Sequence, residues 1–342
     1  MPTVPDATTD ALHATARELV GDRRGILAAD ESIATMSVRL EKAGVTPTET
    51  GRRDYRELLV TTPDLYEGIS GVILCDETLR QRLADGRTFP RALGDLGMLP
   101  GIKVDTGTTH LPGTSGELIT EGLDRLPARL AEYAKLGARF AKWRAVIRIG
   151  DGTPSLWALK ANAYAIARYA GACQAAGIVP VVEPEVLMDG DHPLSRCAIA
   201  TAGALTTLIR ALADAGVEPR GMVLKPNMVV PGSESPQRCT PQEVARATVD
   251  VLGAVLPDDL AGVAFLSGGQ APATATERLA AMQEIDTPWP LTFSFGRALV
   301  TPALLQWRGV PARVALGQAA LARLVERNTA VLCEPRSPLL SA

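Results

Sequence analysis

The chain has 342 residues, of which 46% are hydrophobic, and carries a formal net charge of −3. That length suits one α/β barrel with extensions, and the apolar share is enough for a large core. With a pI near 5.8 there is no basic field, which argues against nucleic acid and anionic membrane as partners.

In chain order, residues 1–9 read as an N-terminal tail and 331–342 as a short C-terminal tail, around a single domain. Asp10–Gly21 has helical spacing at Leu12, Ala16, Leu19 and Val20, and Gly21 suits a helix end. Gly25-Ile-Leu-Ala-Ala is a compact apolar run that delivers Asp30, Glu31 and Ser32 at its end. The pattern recurs. Ile69–Leu74 ends at Cys75-Asp76-Glu77, and Gly101-Ile-Lys-Val-Asp105 leads into a Gly/Thr/Ser-rich loop over 106–116. Phe140–Ile147 carries Lys142 and Arg144, and Ile178–Glu185 carries Glu183 and Glu185. Gly221-Met-Val-Leu-Lys-Pro-Asn227 places Lys225 at a strand end. Gly262–Phe265 runs into Leu266-Ser-Gly-Gly269, and Trp289–Phe295 runs into Gly296-Arg297.

Helix-like segments rich in Ala, Leu, Arg and Glu separate these runs. They lie near 50–66, 121–136, 155–176, 193–215, 241–256, 270–284 and within 300–330, with 78–97 less regular. Eight apolar runs alternating with helices predict a parallel sheet. Near-continuous apolar strands predict burial on both faces. The fold class expected is therefore α/β, a (β/α)8 TIM barrel with a closed, eight-stranded parallel sheet. Such a barrel gathers strand C-termini onto one face, where active sites are built. Asp30, Lys103, Lys142, Arg144, Glu183, Lys225, Ser267 and Arg297 all sit within or at the ends of these runs.

Side chains on a strand repeat every two residues, so Lys142 shares a face with Arg144, Glu183 with Glu185, and Lys103 with Asp105. If those faces point inward, Lys225 has a second ammonium and two carboxylates nearby. A neighbouring cation and desolvation both ease the loss of a proton from an amine. An amine so activated attacks a ketone to form an imine, an electron sink that lets a bond to the adjacent carbon break or form. Glu183 can handle water loss during imine formation, and Asp30 can act on a substrate hydroxyl. Two features point to phosphate. Ser267-Gly268-Gly269 precedes a helix expected at Gln270, and Gly296-Arg297 offers a planar fork beside Ser294. Lys103 and Arg144 are spare cations for a second anionic group.

Metal chemistry is not expected. His13, His110 and His192 have no paired ligand spacing, and His13 and His192 read as solvated. A Rossmann fingerprint is absent. Cys75, Cys173, Cys197, Cys239 and Cys333 are an odd number with no CxxC spacing, which argues against a disulfide framework and a zinc knot. The start, MPTVPDATTDAL, lacks signal-peptide character, and no apolar stretch reaches about 18 residues. The expected location is the reducing cytoplasm.

At these residues the sequence resembles the class I fructose-bisphosphate aldolases. The matching motifs are Leu27-Ala-Ala-Asp-Glu-Ser32, Pro100-Gly-Ile-Lys-Val-Asp105, Ala141-Lys-Trp-Arg144, Val182-Glu-Pro-Glu-Val186, Leu224-Lys-Pro-Asn-Met228, Phe265-Leu-Ser-Gly-Gly-Gln270 and Phe293-Ser-Phe-Gly-Arg297. They run in the family's order from about residue 10 to 330. The resemblance implies metal-independent, reversible cleavage of fructose 1,6-bisphosphate, with a covalent imine in place of a cofactor. It makes Lys225 the imine-forming lysine, Glu183 the acid/base residue of imine formation and Asp30 the carboxylate of carbon–carbon cleavage. Lys142 aids the carbinolamine steps, with Arg144 and Glu185 in support. Ser267, Gly268, Gly269, Ser294, Gly296 and Arg297 fall to substrate and the ketone-side phosphate. Ser32, Thr35 and Lys103 fall to the other phosphate. A homo-oligomer, commonly a tetramer in this family, is also implied.

Two departures stand out. Where the family has Thr-Gly-Ser after Ser32, this chain has Ile33-Ala34-Thr35, and a Lys-Arg pair further on is Val38-Arg39. The grip on the second phosphate, and the preference between bisphosphate and monophosphate, is expected to differ. The family's eukaryotic members also end in a terminal tyrosine that helps proton exchange, whereas this sequence ends Arg336-Ser-Pro-Leu-Leu-Ser-Ala342. Slower exchange of the C3 proton of dihydroxyacetone phosphate, or exchange through another group, is the expectation. Other imine-forming barrels, such as transaldolases and deoxyribose-phosphate-type aldolases, share the lysine logic. A non-catalytic scaffold is a further reading, opposed by the intact set of charged residues.

Overall fold

Each apolar run is rich in Val, Ile, Leu and Ala and is followed by a polar turn, and each becomes a strand buried along nearly its whole length. In the computed structural model, which describes residues 6–332, these eight strands close into a parallel barrel. The chain begins with α1 (Asp6–Val20), β1 (Gly25–Ala29), α2 (Ile33–Lys42), α3 (Glu49–Val60), the single turn α4 (Leu65–Gly68) and β2 (Ile69–Leu74). Next come α5 (Asp76–Arg80), α6 (Phe89–Asp95), β3 (Leu99–Lys103) and an antiparallel hairpin of β4 (Gly107–His110) and β5 (Leu118–Glu121). They are followed by α7 (Leu126–Lys135), β6 (Phe140–Ile147), α8 (Leu156–Ala175), β7 (Val179–Val186), α9 (Leu194–Asp214) and β8 (Val223–Leu224). The last elements are α10 (Pro241–Val255), β9 (Val263–Phe265), α11 (Pro272–Gln283), β10 (Leu291–Phe295), α12 (Arg297–Trp307) and α13 (Val314–Thr329). Around the barrel the order is β1, β2, β3, β6, β7, β8, β9, β10, and β10 returns to β1 through Ile26 beside Ser294 and Leu27 beside Phe295.

The two-residue period decides what lies inside. Ile26, Ala28, Leu99, Phe140, Val179, Val181 and Val223 form one buried cluster with Leu12, Ala16, Leu19 and Val20 of α1, which stops the lower end of the barrel. Leu27, Val72, Ile102, Trp143, Val182 and Leu224 point the other way, into a larger cluster shared with the outer helices. Continuing each inward row by two residues reaches Asp30, Lys142, Glu183 and Lys225. The apolar floor and the polar mouth are thus consecutive turns of the same rows. Gly101 makes the floor possible: a Cβ there would lie 2.2 Å from the Phe140 ring.

Several boundaries differ from expectation. Residues 6–9, read as tail, already belong to α1, while 1–5 and 333–342, most of the expected C-terminal tail among them, lie outside the described residues. No helix was expected at 33–42, yet α2 forms there, capped by Ser32. The loop expected over 106–116 is largely the β4–β5 hairpin, and β5 delays α7 to Leu126. The helix expected at Gln270 starts at Pro272, because Gln270 N–H closes a turn onto Ser267 O at 2.9 Å. Arg297 opens α12 and does not end a strand. His192 is buried and not solvated, at 6% exposure. The 21-residue α9 is long and apolar enough by length and composition to cross a membrane, against the reading that no such stretch exists. Here it packs on α8, α10 and β7, which accounts for its apolar face.

Candidate active site

The strand C-termini surround an open cavity of about 520 Å³. Asp30, Ser32, Thr35, Lys103, Lys142, Arg144, Glu183, Glu185, Lys225, Ser267, Gly268, Ser294, Gly296 and Arg297 all line it. Gly269 does not; it stands behind Gly268, with its Cβ direction 3.3 Å from Arg297 Nη2.

Four side chains form a chain of alternating charge across the floor of the cavity. Asp30 Oδ2 is 2.7 Å from Lys142 Nζ, which is 3.3 Å from Glu183 Oε2. Glu183 Oε1 is in turn 3.3 Å from Lys225 Nζ. Lys225 follows directly on β8, and its N–H continues the ladder to Val182 O at 2.8 Å. All four are at least mostly buried, and Lys225 and Lys142 are each 3% exposed. Burial alone would drive Asp30 toward its neutral form. The ammonium groups of Lys142, Lys225 and Lys103 outweigh it and hold Asp30 at about 2. Glu183 is lowered likewise, burial being overcome by Lys225, Lys142 and Arg144. For Lys142 burial opposes the charge, and Asp30, Glu183 and Asp105 more than restore it, so its proton is held more tightly than usual. The second ammonium near Lys225 is therefore present, with the Glu183 carboxylate standing between the two.

Around this floor lie three further pairs. Arg144 Nε donates to Glu185, Lys103 Nζ is 2.5 Å from Asp105 Oδ1, and Arg39 pairs with Glu31. Among the described residues, Arg297 is the lining cation with no carboxylate within salt-bridge distance. It begins α12, whose first residue and N-cap Gly296 both line the cavity, and it adjoins Gly269 (φ +86°), which follows Gly268 (φ +55°). Left-handed glycines in succession turn backbone N–H groups toward one concavity, which suits an anion. Across the mouth, Ser32 Oγ accepts from Thr35 N–H at 3.2 Å at the start of α2, a second helix N-terminus at the cavity rim. The described residues contain no group of three or more His, Cys, Asp or Glu side chains placed to hold a metal.

The family model described as fructose-bisphosphate aldolase class-I matches residues 11–334. The chain belongs to the class I fructose-bisphosphate aldolase family. It is 50% identical over 299 residues to a probable fructose-bisphosphate aldolase class 1 of Xylella fastidiosa strain 9a5c, covering 87% of this chain and 90% of that one. It is 47% identical over 322 residues to the cytosolic fructose-bisphosphate aldolase 5 of Arabidopsis thaliana, covering 94% and 90%. A solved structure of the Plasmodium falciparum fructose-bisphosphate aldolase, in complex with TRAP and a small-molecule inhibitor, superposes with a TM-score of 0.95 at 41% identity, covering 96% of each chain.

This aldolase site also contains residues that sequence reasoning left out of it. Arg39, Glu31, Asp105, Thr106, Gly107 and Thr108 line the cavity. Asp105 was findable, since it shares the inward face of Lys103. Arg39 was legible only as part of the position of the family's Lys-Arg pair, and α2 brings it to the site, where positions 32, 35 and 39 fall on one helical face. Thr106–Thr108 carry no distinctive chemistry and arrive through the unexpected hairpin.

Proposed function

We propose that this chain is a metal-independent lyase that cleaves fructose 1,6-bisphosphate reversibly into dihydroxyacetone phosphate and glyceraldehyde 3-phosphate. The observation that carries the reading is the Asp30–Lys142–Glu183–Lys225 chain, which sets a buried amine 3.3 Å from an ionised carboxylate at the floor of the cavity. An ammonium cannot attack a ketone. Glu183 Oε1 is within reach of the Lys225 proton and takes it, freeing the nitrogen lone pair for the substrate C2 carbonyl. The carbinolamine then loses its hydroxyl as water, protonated by the same Glu183, while the Lys142 ammonium stabilises charge on the departing oxygen. In the protonated imine, Asp30 accepts the C4 hydroxyl proton. The C3–C4 bond breaks, its electrons pass to the imine, and the aldehyde leaves. Proton return to C3 and hydrolysis release the ketone product. Asp30 suits the base role because its neighbours keep it ionised far below neutral pH.

Arg297, the Ser267–Gly269 turn and the start of α12 hold the ketone-side phosphate. Ser294 and Gly296 line its approach, and Ser32, Thr35 and Lys103 hold the aldehyde-side phosphate. Arg144 and Glu185 position each other between the two. We further propose a cytoplasmic homo-oligomer. One relative is named cytosolic, and neighbouring α8 and α9 expose Leu156, Trp157, Tyr164 and Ile199. Sedimentation would measure the mass.

Incubation with fructose 1,6-bisphosphate, reduction with borohydride and peptide mapping test the core of the reading. A triose-phosphate adduct on Lys225, insensitive to chelator, is expected. An unmodified Lys225, with cleavage abolished by EDTA, would refute it.

A further inference from the structure

The short segment Ala29–Glu31 starts at the last residue of β1, where Ala29 pairs with Leu74 of β2, and carries the Asp30 carboxylate just beyond the ladder. Past Ala29 no β1 register pair fixes the backbone. A side chain from another element does. Arg56, on the inner face of α3, is 1% exposed. Its Nε donates to Ala29 O at 2.9 Å and its Nη2 donates to Glu31 O at 2.8 Å. These two carbonyls flank Asp30 on either side. The same Nη2 lies 3.4 Å from Glu31 Oε2, and the other oxygen of that carboxylate pairs with Arg39 at the rim. Arg56 does not itself line the cavity, yet it grips the peptide on both sides of one lining carboxylate and the side chain of the next.

The anchor is itself fixed. The adjacent Tyr55 hydroxyl donates to Val300 O of α12 at 2.6 Å, and its ring stacks on Trp307 at 5.8 Å. Thus α3 is tied to the helix that begins with Arg297, and through Arg56 to the loop that holds Asp30. A guanidinium suits this task because its planar fork donates in two directions from one rigid group, which a lysine head on a flexible stem does not reproduce.

We propose that Arg56 is a positioning residue for the carbon–carbon bond step, acting by clamping the Ala29 and Glu31 carbonyls so that Asp30 meets the substrate C4 hydroxyl. The inference rests on the role given to Asp30 above. Imine formation uses Lys225, Glu183 and Lys142, none of which Arg56 contacts. Loss of the clamp accordingly separates the two half-reactions. An error of about 1 Å in a reacting group is worth on the order of 100-fold in rate.

The test is Arg56→Lys and, in parallel, Arg56→Met, which fills the same channel without a buried charge. For each, thermal unfolding and circular dichroism establish the folded fraction. Two rates are then read: borohydride trapping of dihydroxyacetone phosphate on Lys225, and steady-state cleavage of fructose 1,6-bisphosphate. The expected result is trapping within about threefold of the unaltered protein and a cleavage kcat lower by roughly 10- to 100-fold. Equal losses in both rates would make Arg56 a structural residue only and overturn the proposal, as would an unchanged kcat in either folded variant. If the unaltered protein gives no adduct on Lys225, the reading of the site itself fails, which is a separate outcome. If one variant does not fold, the other decides.

Discussion

Lys142 is the residue on which the electrostatics of the site turn, and Lys142→Met tests that most directly. Its ammonium, 3% exposed, lies between Asp30 at 2.7 Å and Glu183 at 3.3 Å. Removing it leaves two buried carboxylates sharing Lys225. Breaking a buried pair in this way costs about 3–5 kcal/mol. With an unfolding entropy near 2.1 cal/mol/K per residue, that lowers the Tm at pH 7.5 by roughly 4–7 °C. The pH dependence is more telling. In the unaltered protein Asp30 is lowered from 3.8 to about 2, so its contribution, about 2 kcal/mol, is present above pH 4 and is lost as pH falls toward 2. In the variant, burial, the largest influence on Asp30, is no longer offset by its largest opponent, and the carboxyl rises. A raised carboxyl gains stability from protonation as pH falls. The Tm gap between the two proteins therefore narrows from pH 7.5 to pH 5. Differential scanning calorimetry at both values measures it. A drop of less than 1 °C, or a gap that is the same at both pH values, would refute this account of the charge chain.

Arg297→Ala removes the unpaired cation. One charged hydrogen bond of about 1.5–3 kcal/mol corresponds to a loss of roughly 10- to 150-fold in kcat/KM for fructose 1,6-bisphosphate, and equal kinetics would exclude Arg297 from phosphate binding. Ser32→Ala removes the cap of α2 and one rim hydroxyl. It is expected to cost about 1 kcal/mol of stability and to raise KM for the bisphosphate while leaving KM for fructose 1-phosphate unmoved; parallel changes in both would place Ser32 elsewhere. Gly101→Ala drives a methyl against Phe140 on the barrel floor, with an expected cost of about 1–3 kcal/mol. The Tm reads that cost, and an unshifted Tm would show that the ring yields freely.

What could be read from the residues alone follows from one regularity. Where an apolar strand runs into a charge, period two carries the inward face from floor to mouth, so Lys142, Arg144, Glu183 and Glu185 were assigned a face without coordinates. The segments that misled lack that regularity. Ile33–Lys42 is amphipathic, but it follows Ser32 in a stretch rich in small and β-branched residues and reads equally as a loop. β4 is Gly-Thr-Thr-His and largely exposed, and β5 is a four-residue Leu-Ile-Thr-Glu run too short to stand out; the two pair with each other outside the barrel. Arg56 could not be seen, because its two shortest bonds go to the backbone carbonyls of Ala29 and Glu31, which no side-chain pattern reveals. His192 was misjudged because its Asp-Gly-Asp context looks solvated, whereas the turn folds inward and burial lowers the imidazole.

The ion pairs of the site differ in depth, and the difference has a physical consequence. Six cations and five carboxylates line the cavity, and all but Arg297 are paired. The Lys142 and Lys225 side chains are each 4% exposed, whereas Arg39 is 26% exposed and Arg144 39%. Coulomb attraction weakens as the effective dielectric rises and as salt penetrates, so the rim pairs are the easier ones to exchange. A bisphosphate brings nearly four negative charges, more than Arg297 and two helix N-termini can balance. Lys103 and Arg39, the more exposed partners of their pairs, are the cations placed to exchange carboxylate for phosphate. The inner pairs are buried on both sides, and under the mechanism proposed above they keep Asp30 and Glu183 ionised and Lys142 protonated. The same barrel rows that bury the floor therefore also grade the electrostatics, from exchangeable at the mouth to fixed at the imine.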